Sequence, residues 1–315
     1  MGSNIAENSL KPVRAEDFAK FGMAAYRAPS LYQPHRLREA IRDAHEGKIP
    51  PLMGYFMGLP SPPVAKMVAM FGFDVVWVDW EHSAMSVETM TQMVYDVQFC
   101  SEGRSAALVR VPGHGHENIG FALDAGASVV LPQVETVEQA KHICSAAKFG
   151  RKARGTRSAP PARWFPGVSD QTCDPSKTLH TNLNQQAAII IQIESLEGIK
   201  NLDAILTECG DQIDSVWLGS LDARISMDLQ GGGILGVENE WQDAVAVFES
   251  ALAKHNMPAS GLAFGPPEMK AILSKGRSMI FGSADMMGLM SAVGELQQTR
   301  QDFPAKDHSK IFKQI

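Results

Sequence analysis

The sequence predicts a single (β/α)8 barrel, a TIM barrel of the α/β class. Eight short apolar runs, rich in β-branched residues, alternate with stretches of helical pattern. Their nearly continuous hydrophobicity is typical of parallel strands that are buried on both faces. A length of 315 residues accommodates eight such units in one barrel. A doubly wound sheet is the alternative, but it normally carries a glycine-rich fingerprint after its first strand, and "GLPSPP" is not one.

The predicted elements follow one another along most of the chain. The strands are residues 51–59, 73–82, 105–113, 128–134, 187–195, 213–222, 258–264 and 278–285. The helices between them are residues 62–72, 86–103, 136–150, 198–210, 239–256 and 266–276. Prolines open the first helix and Gly72 closes it, which is the usual asymmetry of helix ends. Ser86 opens the second helix as part of an imperfect capping box.

The chain divides into three predicted parts. We expect an N-terminal arm, residues 1–30, a catalytic barrel, residues 31–300, and a C-terminal tail, residues 301–315. Within the barrel, residues 151–184 are rich in Pro, Ser and Thr and contain no clear strand. Loops of this length are usually functional or mobile. We expect this long loop to cover the C-terminal face of the barrel.

Composition and charge argue against several classes of partner. The net charge is -6, and no basic cluster of the kind used to bind nucleic acid is present. The densest basic stretch, residues 148–157, is a candidate anion-binding loop. No apolar run reaches the roughly 18 residues that a membrane helix needs. The four cysteines lie far apart without a CxxC pair, which indicates reduced thiols in a cytoplasmic protein.

Polar side chains gather where the predicted strands end. They are Asp79, Glu81 and His82 on strand two, Arg110 on strand three, Gln192 and Glu194 on strand five, and Asp222 on strand six. In a barrel the C-terminal ends of the strands form the active site. A single polar residue there is as well explained by loop capping, but seven at the same end of different strands predict a catalytic site.

Two of these carboxylates predict a metal site. Glu194 and Asp222 come from adjacent strands, and two carboxylates with water suit a hard cation such as Mg²⁺. A salt-bridge role for the pair is the alternative. Backbone N–H groups of Ser220, Leu221 and Asp222 in the "GSLD" turn are expected to meet an anion.

The remaining charged residues predict anion binding and proton transfer. A guanidinium in an apolar strand, Arg110, needs an anionic partner, either a carboxylate of the protein or that of a substrate. His82 suits proton transfer near neutral pH, with Asp79 to orient its ring; a structural role is the alternative. Arg154 and Arg157 are expected to reach the same face from the long loop.

Six separated motifs resemble the HpcH/HpaI aldolase family of metal-dependent pyruvate aldolases. They are "GFDVVWVDWEHS" (72–83), "LVRVPG" (108–113), "DAGASVVLPQVETVEQA" (124–140), "RGTRS" (154–158), "IQIESLEGIKNLDAI" (191–205) and "VWLGSLDARISMDL" (216–229). They lie in the family's order over roughly residues 50 to 290. The wording of "WVDWEH" and "GSLDARISM" is most similar to a member that decarboxylates oxaloacetate and joins the enolpyruvate to a 2-pyrone.

The resemblance implies a role for each matching residue. Glu194 and Asp222 would bind Mg²⁺, or Mn²⁺ or another divalent cation. Arg110 would hold the keto-acid and stabilise its enolate oxygen, and His82, oriented by Asp79, would move protons through a water. The resemblance also implies a hexamer whose C-terminal helix is exchanged between neighbours. We assign substrate binding to Gly219, Ser220, Leu221, Trp77, Pro160 and Trp164, the last two as the wall of an acceptor pocket in "PPARWF".

The sequence departs from the family pattern in two places. The usual GPADLS reads GSLDARIS, so Arg224 stands where a small hydroxyl is common, and the segment before Asp222 is about two residues longer at "TECGDQ". The metal ligands survive both changes, whereas selectivity for the second substrate is put in doubt.

These residues favour an enzyme, a Mg²⁺-dependent carbon–carbon lyase that works through a pyruvate enolate. Oxaloacetate decarboxylation with coupling to an acceptor is the leading reaction, and 4-hydroxy-2-oxo-acid aldol cleavage is the alternative. A barrel that binds a keto-acid without catalysis, or serves as a scaffold, is the hypothesis from a different class.

Overall fold

The computed structural model describes residues 13–30, 32–163, 165–229 and 235–303, and these form a closed barrel of eight parallel strands. The strands pair in chain order, and the last pairs with the first. They are β1 (Leu52–Met57), β2 (Val75–Asp79), β3 (Ala106–Arg110), β4 (Ser128–Leu131), β5 (Ile189–Ile193), β6 (Ser215–Leu218), β7 (Ala259–Leu262) and β8 (Arg277–Ala284). The predicted fold class and the eight predicted strands are confirmed.

Helices surround the barrel. Their bounds are α1 (Ala15–Phe21), α2 (Leu37–His45), α3 (Pro62–Ala69), α4 (Val87–Cys100), α5 (His116–Asp124), α6 (Val137–Ala147), α7 (Leu179–Gln186), α8 (Leu196–Cys209), α9 (Ser220–Ser226), α10 (Asn239–Lys254), α11 (Pro267–Ser274) and α12 (Asp285–Asp302). The six predicted helices are present, and side-chain caps fix the starts of α3, α4, α6 and α8. Ser86 accepts from the Thr89 amide, and Thr136 and Gln139 form a complete capping box. The other six lacked start and stop signals that we could read.

The interior of the barrel is filled by aromatic rings. Trp77 packs 5.0 Å from Trp217 and 5.5 Å from Phe281, measured between ring centroids. Gly54 makes room for this layer, because a Cβ at that position would lie 2.4 Å from the Phe281 ring. The barrel is therefore a solid core beneath the C-terminal face rather than a pore.

The described part of the N-terminal segment closes the N-terminal end of the barrel, opposite the C-terminal face. α1 and a 3₁₀ helix, Gly22–Tyr26, bury Phe18, Met23 and Tyr26. These side chains join one apolar cluster with Leu52 and other residues from the strands. The residues that we assigned to an arm thus include a plug for the N-terminal end, while the proposed domain limits stay a prediction.

The predicted position of the long loop is wrong. Residues 148–188 connect α6 to β5, and in a barrel the connections from helix to strand lie at the N-terminal face. The contacts agree: Arg154 pairs with Asp211, just before β6, and Arg157 pairs with Asp124 at the end of α5. Neither arginine joins the strand-end residues that we expected it to accompany.

The last two helices of the described chain leave apolar surface exposed. Exposed side chains on α12 are Met286, Met287, Leu289, Met290, Val293 and Leu296. Of the α12 residues only Asp285 is buried, and α11 has no buried residue. Among the described helices none is long and apolar enough to cross a membrane.

Candidate active site

A cavity of about 670 Å³ opens at the C-terminal end of the barrel and collects most of the predicted site residues. Those that line it are Trp77, His82, Arg110, Glu194, Gly219, Ser220, Leu221 and Asp222. Asp79 lies behind Arg110, whereas Pro160 is not among the lining residues and Trp164 lies outside the described residues. The strand ends thus meet as predicted, and among the described residues Pro160 does not contribute to the cavity.

Arg110 is held at the floor of the cavity by two carboxylates. Its Nε and Nη2 donate to the two Asp79 oxygens, each over 2.7 Å, and Nε lies 3.1 Å from a Glu81 oxygen. The guanidinium also lies 5.5 Å from the centre of the Trp77 ring. Among the described residues Nη1 has no acceptor, so one edge of a fixed cation faces the cavity.

Asp79 does not orient His82 as we expected, because its oxygens accept hydrogen bonds from another residue. Both Asp79 oxygens accept from Arg110, because neighbouring strands β2 and β3 place the two side chains side by side. His82 follows the strand end with its side chain 68% exposed, and its Nε2 lies 3.7 Å from Glu81. Asp79 therefore positions the arginine, and the acidic neighbour of His82 is Glu81.

Glu194 is fixed by hydrogen bonds from two sides. One oxygen accepts from the Gln133 amide over 2.8 Å, and the other from the Gln192 side chain over 3.1 Å. Gln133 has a φ of 50°, a left-handed conformation that is costly outside glycine and is found most often at functional sites. A Cβ at Gly219 would lie 2.4 Å from the Glu194 carboxylate, so the glycine makes room for it.

Burial perturbs the acids around the cavity. Burial, together with the nearby Asp222 carboxylate, raises the pKa of Glu194 from 4.5 to about 7, against the opposing effects of the Gln133 amide and Arg110. Burial likewise raises the pKa of Glu81, against the opposing effect of Arg110. Two acids held partly against ionisation beside one another are typical of a site that is completed by a cation.

Asp222 is carried by a helix rather than by a strand. The predicted strand 213–222 ends at Leu218, and α9 begins at Ser220. Gly219 is the N-cap residue, and it has no side chain that could cap the amides of the first turn. The first-turn N–H groups of Ser220, Leu221 and Asp222 lack partners within the helix, as we expected of the turn.

The donor set fits a divalent cation that shares its shell with a ligand. Across the described ranges no group of three or more His, Cys, Asp and Glu side chains is placed to hold a metal by itself. Glu194 and Asp222 offer hard oxygen donors, and the rest of the shell would come from water or substrate. Two buried polar atoms without hydrogen-bond partners among the described residues lie close by, namely Trp77 Nε1 and Gln192 Oε1. The site is polar where a ligand would have to be.

The opposite wall of the cavity is apolar, and sequence reasoning missed it. It is formed by Leu262, Phe264, Met269, Leu273, Met286 and Met287. Phe264 ends the predicted seventh strand, so its position was readable, but the α11 and α12 side chains carry no signal that points to a ligand. Asp285 ties this wall to the β1 loop, since it accepts from the Gly58 and Leu59 amides over 2.9 Å each.

Comparison with known proteins places this geometry among aldolases and lyases. A model of the HpcH/HpaI aldolase/citrate lyase family matches residues 52–290. The chain is 31% identical to a 4-hydroxy-2-oxovalerate aldolase of Novosphingobium aromaticivorans over 58% of this chain and 65% of that enzyme. It is 28% identical to a 5-keto-4-deoxy-D-glucarate aldolase of Enterobacter sp. (strain 638), over 78% and 90% respectively. The crystal structure of macrophomate synthase superposes with a TM-score of 0.79 at 30% identity, covering 96% of this chain and all of that one.

Proposed function

Because this chain belongs to the HpcH/HpaI aldolase/citrate lyase family, we propose that it is a divalent-metal-dependent carbon–carbon lyase that works through a pyruvate enolate. That it is a lyase of the aldolase type is confirmed by its named relatives. The observation that carries the finer proposal is the Arg110 guanidinium, locked by Asp79 at 2.7 Å beside the buried Glu194 carboxylate. A fixed cation next to a pair of hard oxygen donors suits a 2-keto acid, which presents a carboxylate and a ketone together.

Glu194 and Asp222 would hold the metal ion, which we take to be Mg²⁺, with Mn²⁺ or another divalent ion as alternatives. When bound, the ion would supply Lewis-acid polarisation of the ketone oxygen. Its two positive charges would also allow both carboxylates to ionise together despite the raised pKa of Glu194. The raised pKa, the room left by Gly219 and the unpartnered polar atoms around the site support this assignment.

Arg110 would stabilise the negative charge that develops on the ketone oxygen as the enolate forms. Its orientation is set by Asp79 before any substrate arrives, so little reorganisation is needed at the moment of reaction. Its free Nη1 edge is the part of the guanidinium available to a ligand. The first-turn amides of α9, from Ser220 to Asp222, would receive the keto-acid carboxylate.

His82 would exchange the proton at the methyl or methylene carbon of the keto acid, through an intervening water. Its ring is 68% exposed at the cavity rim and lies 3.7 Å from Glu81, so solvent can supply or remove the proton. In a decarboxylation the carbon–carbon electron pair of oxaloacetate passes into the enolate and carbon dioxide leaves. The enolate carbon then takes either a proton or a carbon electrophile.

The leading reaction is oxaloacetate decarboxylation with coupling of the enolpyruvate to an acceptor such as a 2-pyrone. Its support is the similarity to the macrophomate synthase structure together with an apolar cavity wall that suits a planar, hydrophobic acceptor. A 4-hydroxy-2-oxo-acid aldolase is the second candidate, supported by the named aldolase relatives. A non-catalytic keto-acid barrel would not require two acids of raised pKa, Glu81 and Glu194, beside one arginine.

The experiment that tests the proposal is a pyruvate-release assay with oxaloacetate, with and without EDTA, followed by re-addition of Mg²⁺ or Mn²⁺. We expect turnover that EDTA abolishes and a divalent ion restores. Aldehydes and pyrones added with oxaloacetate then identify the acceptor by the coupled product. Turnover that survives complete chelation contradicts the metal-dependent reaction, and binding of pyruvate without any turnover supports the non-catalytic barrel.

Assembly and location complete the proposal. We infer a homo-oligomer, with a hexamer that exchanges its C-terminal helix as the preferred form. The exposed apolar residues of α12, such as Leu289, Met290 and Val293, support a partner for this helix. Cytoplasmic location, the limits of arm, barrel and tail, and the acceptor role of Pro160 and Trp164 stay predictions from the sequence.

A further inference from the structure

A second cavity, of about 940 Å³, lies at the N-terminal face of the barrel, on the other side of the aromatic core from the candidate active site. Its walls come from α2, the connection after α6, the start of α7 and the turn before β6. Six cationic side chains line it: Arg38, Arg42, Lys148, Arg151, Lys152 and Arg154. Only two acids line it, Glu39 and Asp211. This concentration of positive charge stands out in a chain whose net charge is -6.

The protein neutralises only part of this charge. Arg154 is fully engaged, since its Nη2 donates to both Asp211 oxygens over 2.7 Å. Arg38 pairs with Asp214 at 2.9 Å. Among the described residues no carboxylate pairs with Arg42, Arg151 or Lys152.

Glu39, the other acid of the wall, is held by Arg36 at 2.6 Å. Its charge is therefore already balanced by a cation that does not line the cavity. The unmatched cations converge on a concave surface, whereas a solvated basic face would normally spread them apart.

Lys148 adds a buried cation to the wall. Its side chain is almost fully buried, and its Nζ donates to the backbone carbonyl of Asn184 over 2.6 Å, a neutral acceptor. Burial lowers the pKa of Lys148 to about 8, although the Asp214 carboxylate opposes this effect. An anion bound in the cavity would supply the negative charge that the Lys148 ammonium does not receive from its carbonyl acceptor.

Hydroxyl and amide groups complete the lining. Thr178, Thr181, Asn184 and Gln185 place hydroxyl and amide groups beside the cations. The His180 ring, whose centroid lies 5.0 Å from that of Phe149 at an interplanar angle of 54°, adds an aromatic surface to the lining. The volume exceeds what an inorganic ion would fill and lies in the range of small-molecule sites.

We propose that this basal cavity binds a small organic molecule that carries two or more phosphate groups. Guanidinium groups match phosphate oxygens bidentately. Arg42 and Arg151 pair with no carboxylate among the described residues, and Arg38 pairs with Asp214 through its Nε, which leaves a nitrogen for a ligand. A continuous nucleic-acid strand would need a basic track across the surface, and here the charge is confined to one concavity. The candidate anion-binding loop of the sequence, residues 148–157, contributes four of the six cations.

The test is calorimetric titration of the full-length protein, saturated with Mg²⁺ and pyruvate so that the candidate active site is occupied. The probe is fructose 1,6-bisphosphate, with inorganic phosphate and unphosphorylated fructose as comparisons. We expect the bisphosphate to bind, inorganic phosphate to bind more weakly, fructose not to bind, and affinity to fall as salt is raised. The double variant Arg151→Gln/Lys152→Gln should weaken bisphosphate binding about tenfold or more.

The matched control is Lys20→Gln/Lys200→Gln, which removes the same charge from exposed positions outside the cavity. It should leave the affinity unchanged within about twofold. Three outcomes overturn the proposal: no bisphosphate binding by the wild type, equal loss in the two double variants, or binding only of a single-stranded RNA oligonucleotide. Because Arg151 and Lys152 line this cavity and not the candidate active site, the two double variants locate the binding whether or not the proposed reaction occurs.

Discussion

At the scale of single residues, Arg110 is the group on which the proposed chemistry depends most. Arg110→Lys keeps the charge but cannot donate to both Asp79 oxygens and face the cavity at once. We expect kcat/KM for oxaloacetate to fall on the order of 100-fold while the fold survives. Steady-state kinetics with circular dichroism on the same preparation measures both.

Arg157→Lys is the matched control for that substitution. Arg157 is as buried as Arg110, pairs with Asp124 at 2.6 Å and lies outside the cavity. Its variant should lose thermal stability but keep its kcat/KM. If Arg110→Lys stays within about twofold of wild type, the arginine is structural and the proposed stabilisation of the enolate fails.

Glu194 gives a prediction that links metal binding to pH. Its pKa of about 7 in the metal-free fold exceeds its ordinary value of 4.5, so between these values the folded protein holds a proton that the unfolded chain has released. Raising the pH through this window therefore destabilises the metal-free fold. Glu194→Gln should stabilise the EDTA-treated protein at pH 8 by about 1 to 3 kcal/mol, while abolishing Mg²⁺ binding and activity.

The measurements are urea unfolding in EDTA and calorimetric Mg²⁺ titration in buffers of different ionisation enthalpy. Below pH 7 the wild type should release a proton as Mg²⁺ binds, and the variant should show no binding at all. Asp222→Asn serves as the comparison, since it should also lose the metal and activity. Unchanged Mg²⁺ affinity in either variant would exclude that residue as a ligand.

The individual site residues were predictable from sequence to the extent that strand ends determine them. Arg110 ends β3 and Glu194 directly follows β5, and the direction of the chain along parallel strands places both at the C-terminal end of the barrel. The partner of Asp79 was not predictable, because Asp79, Glu81 and His82 lie within four positions at the end of β2. Only the lateral register of β2 against β3, which pairs Asp79 with Arg110, decides among them.

At the scale of elements, the N-terminal segment is held to the barrel by a buried histidine. His35 Nε2 lies 2.9 Å from the Gly103 carbonyl oxygen. Burial lowers the pKa of His35 from 6.5 to about 4. A neutral folded histidine stabilises the protein fully above its unfolded pKa, and this contribution is lost as the pH falls from 6.5 towards 4.

The lowered pKa of His35 therefore predicts that the attachment of the N-terminal segment to the barrel weakens in acid. His35→Gln retains a donor for the carbonyl but cannot ionise. The decrease in unfolding free energy between pH 6.5 and pH 4 should therefore be smaller in the variant than in the wild type, by on the order of 3 kcal/mol. Urea unfolding from pH 7 to pH 4 measures it. His142→Gln is the control, since His142 is exposed and also contacts a backbone carbonyl. An identical pH dependence of wild type and His35→Gln would contradict the prediction.

Two elements escaped the sequence reading for definite reasons. We predicted that the long loop covers the active site because we considered its composition but not its position between a helix and the next strand. It follows the helix α6 and precedes the strand β5, which assigns it to the N-terminal face. The short helix α9 was taken as a strand extension, because "GSLD" lacks a capping side chain at Gly219 and seven residues are too few to show a helical period.

At the scale of the whole molecule, the barrel was predictable because five of its eight strands are buried on both faces. β2, β3, β4, β5 and β6 are buried at every position, so their apolar runs are uninterrupted in the sequence. Burial at the N-terminal end and the apolar cavity wall depend on contacts between distant segments. Those contacts leave no local pattern, and the structure was needed to find them.

The exposed apolar side of α12 predicts an assembly larger than the 34.2 kDa monomer. Met290 and Val293 are 64% and 58% exposed, although apolar side chains of this size seldom gather on a free helix surface. Met290→Glu/Val293→Glu should therefore shift the protein to smaller species in light scattering coupled to gel filtration. Because Met286 and Met287 of the same helix line the active-site cavity, oxaloacetate turnover should fall with the assembly. Gln297→Glu/Gln301→Glu adds the same charge to polar positions of α12 and should leave both mass and turnover unchanged. A wild-type protein that elutes at its monomer mass would show that α12 is exposed in solution, and would refute the exchanged hexamer directly.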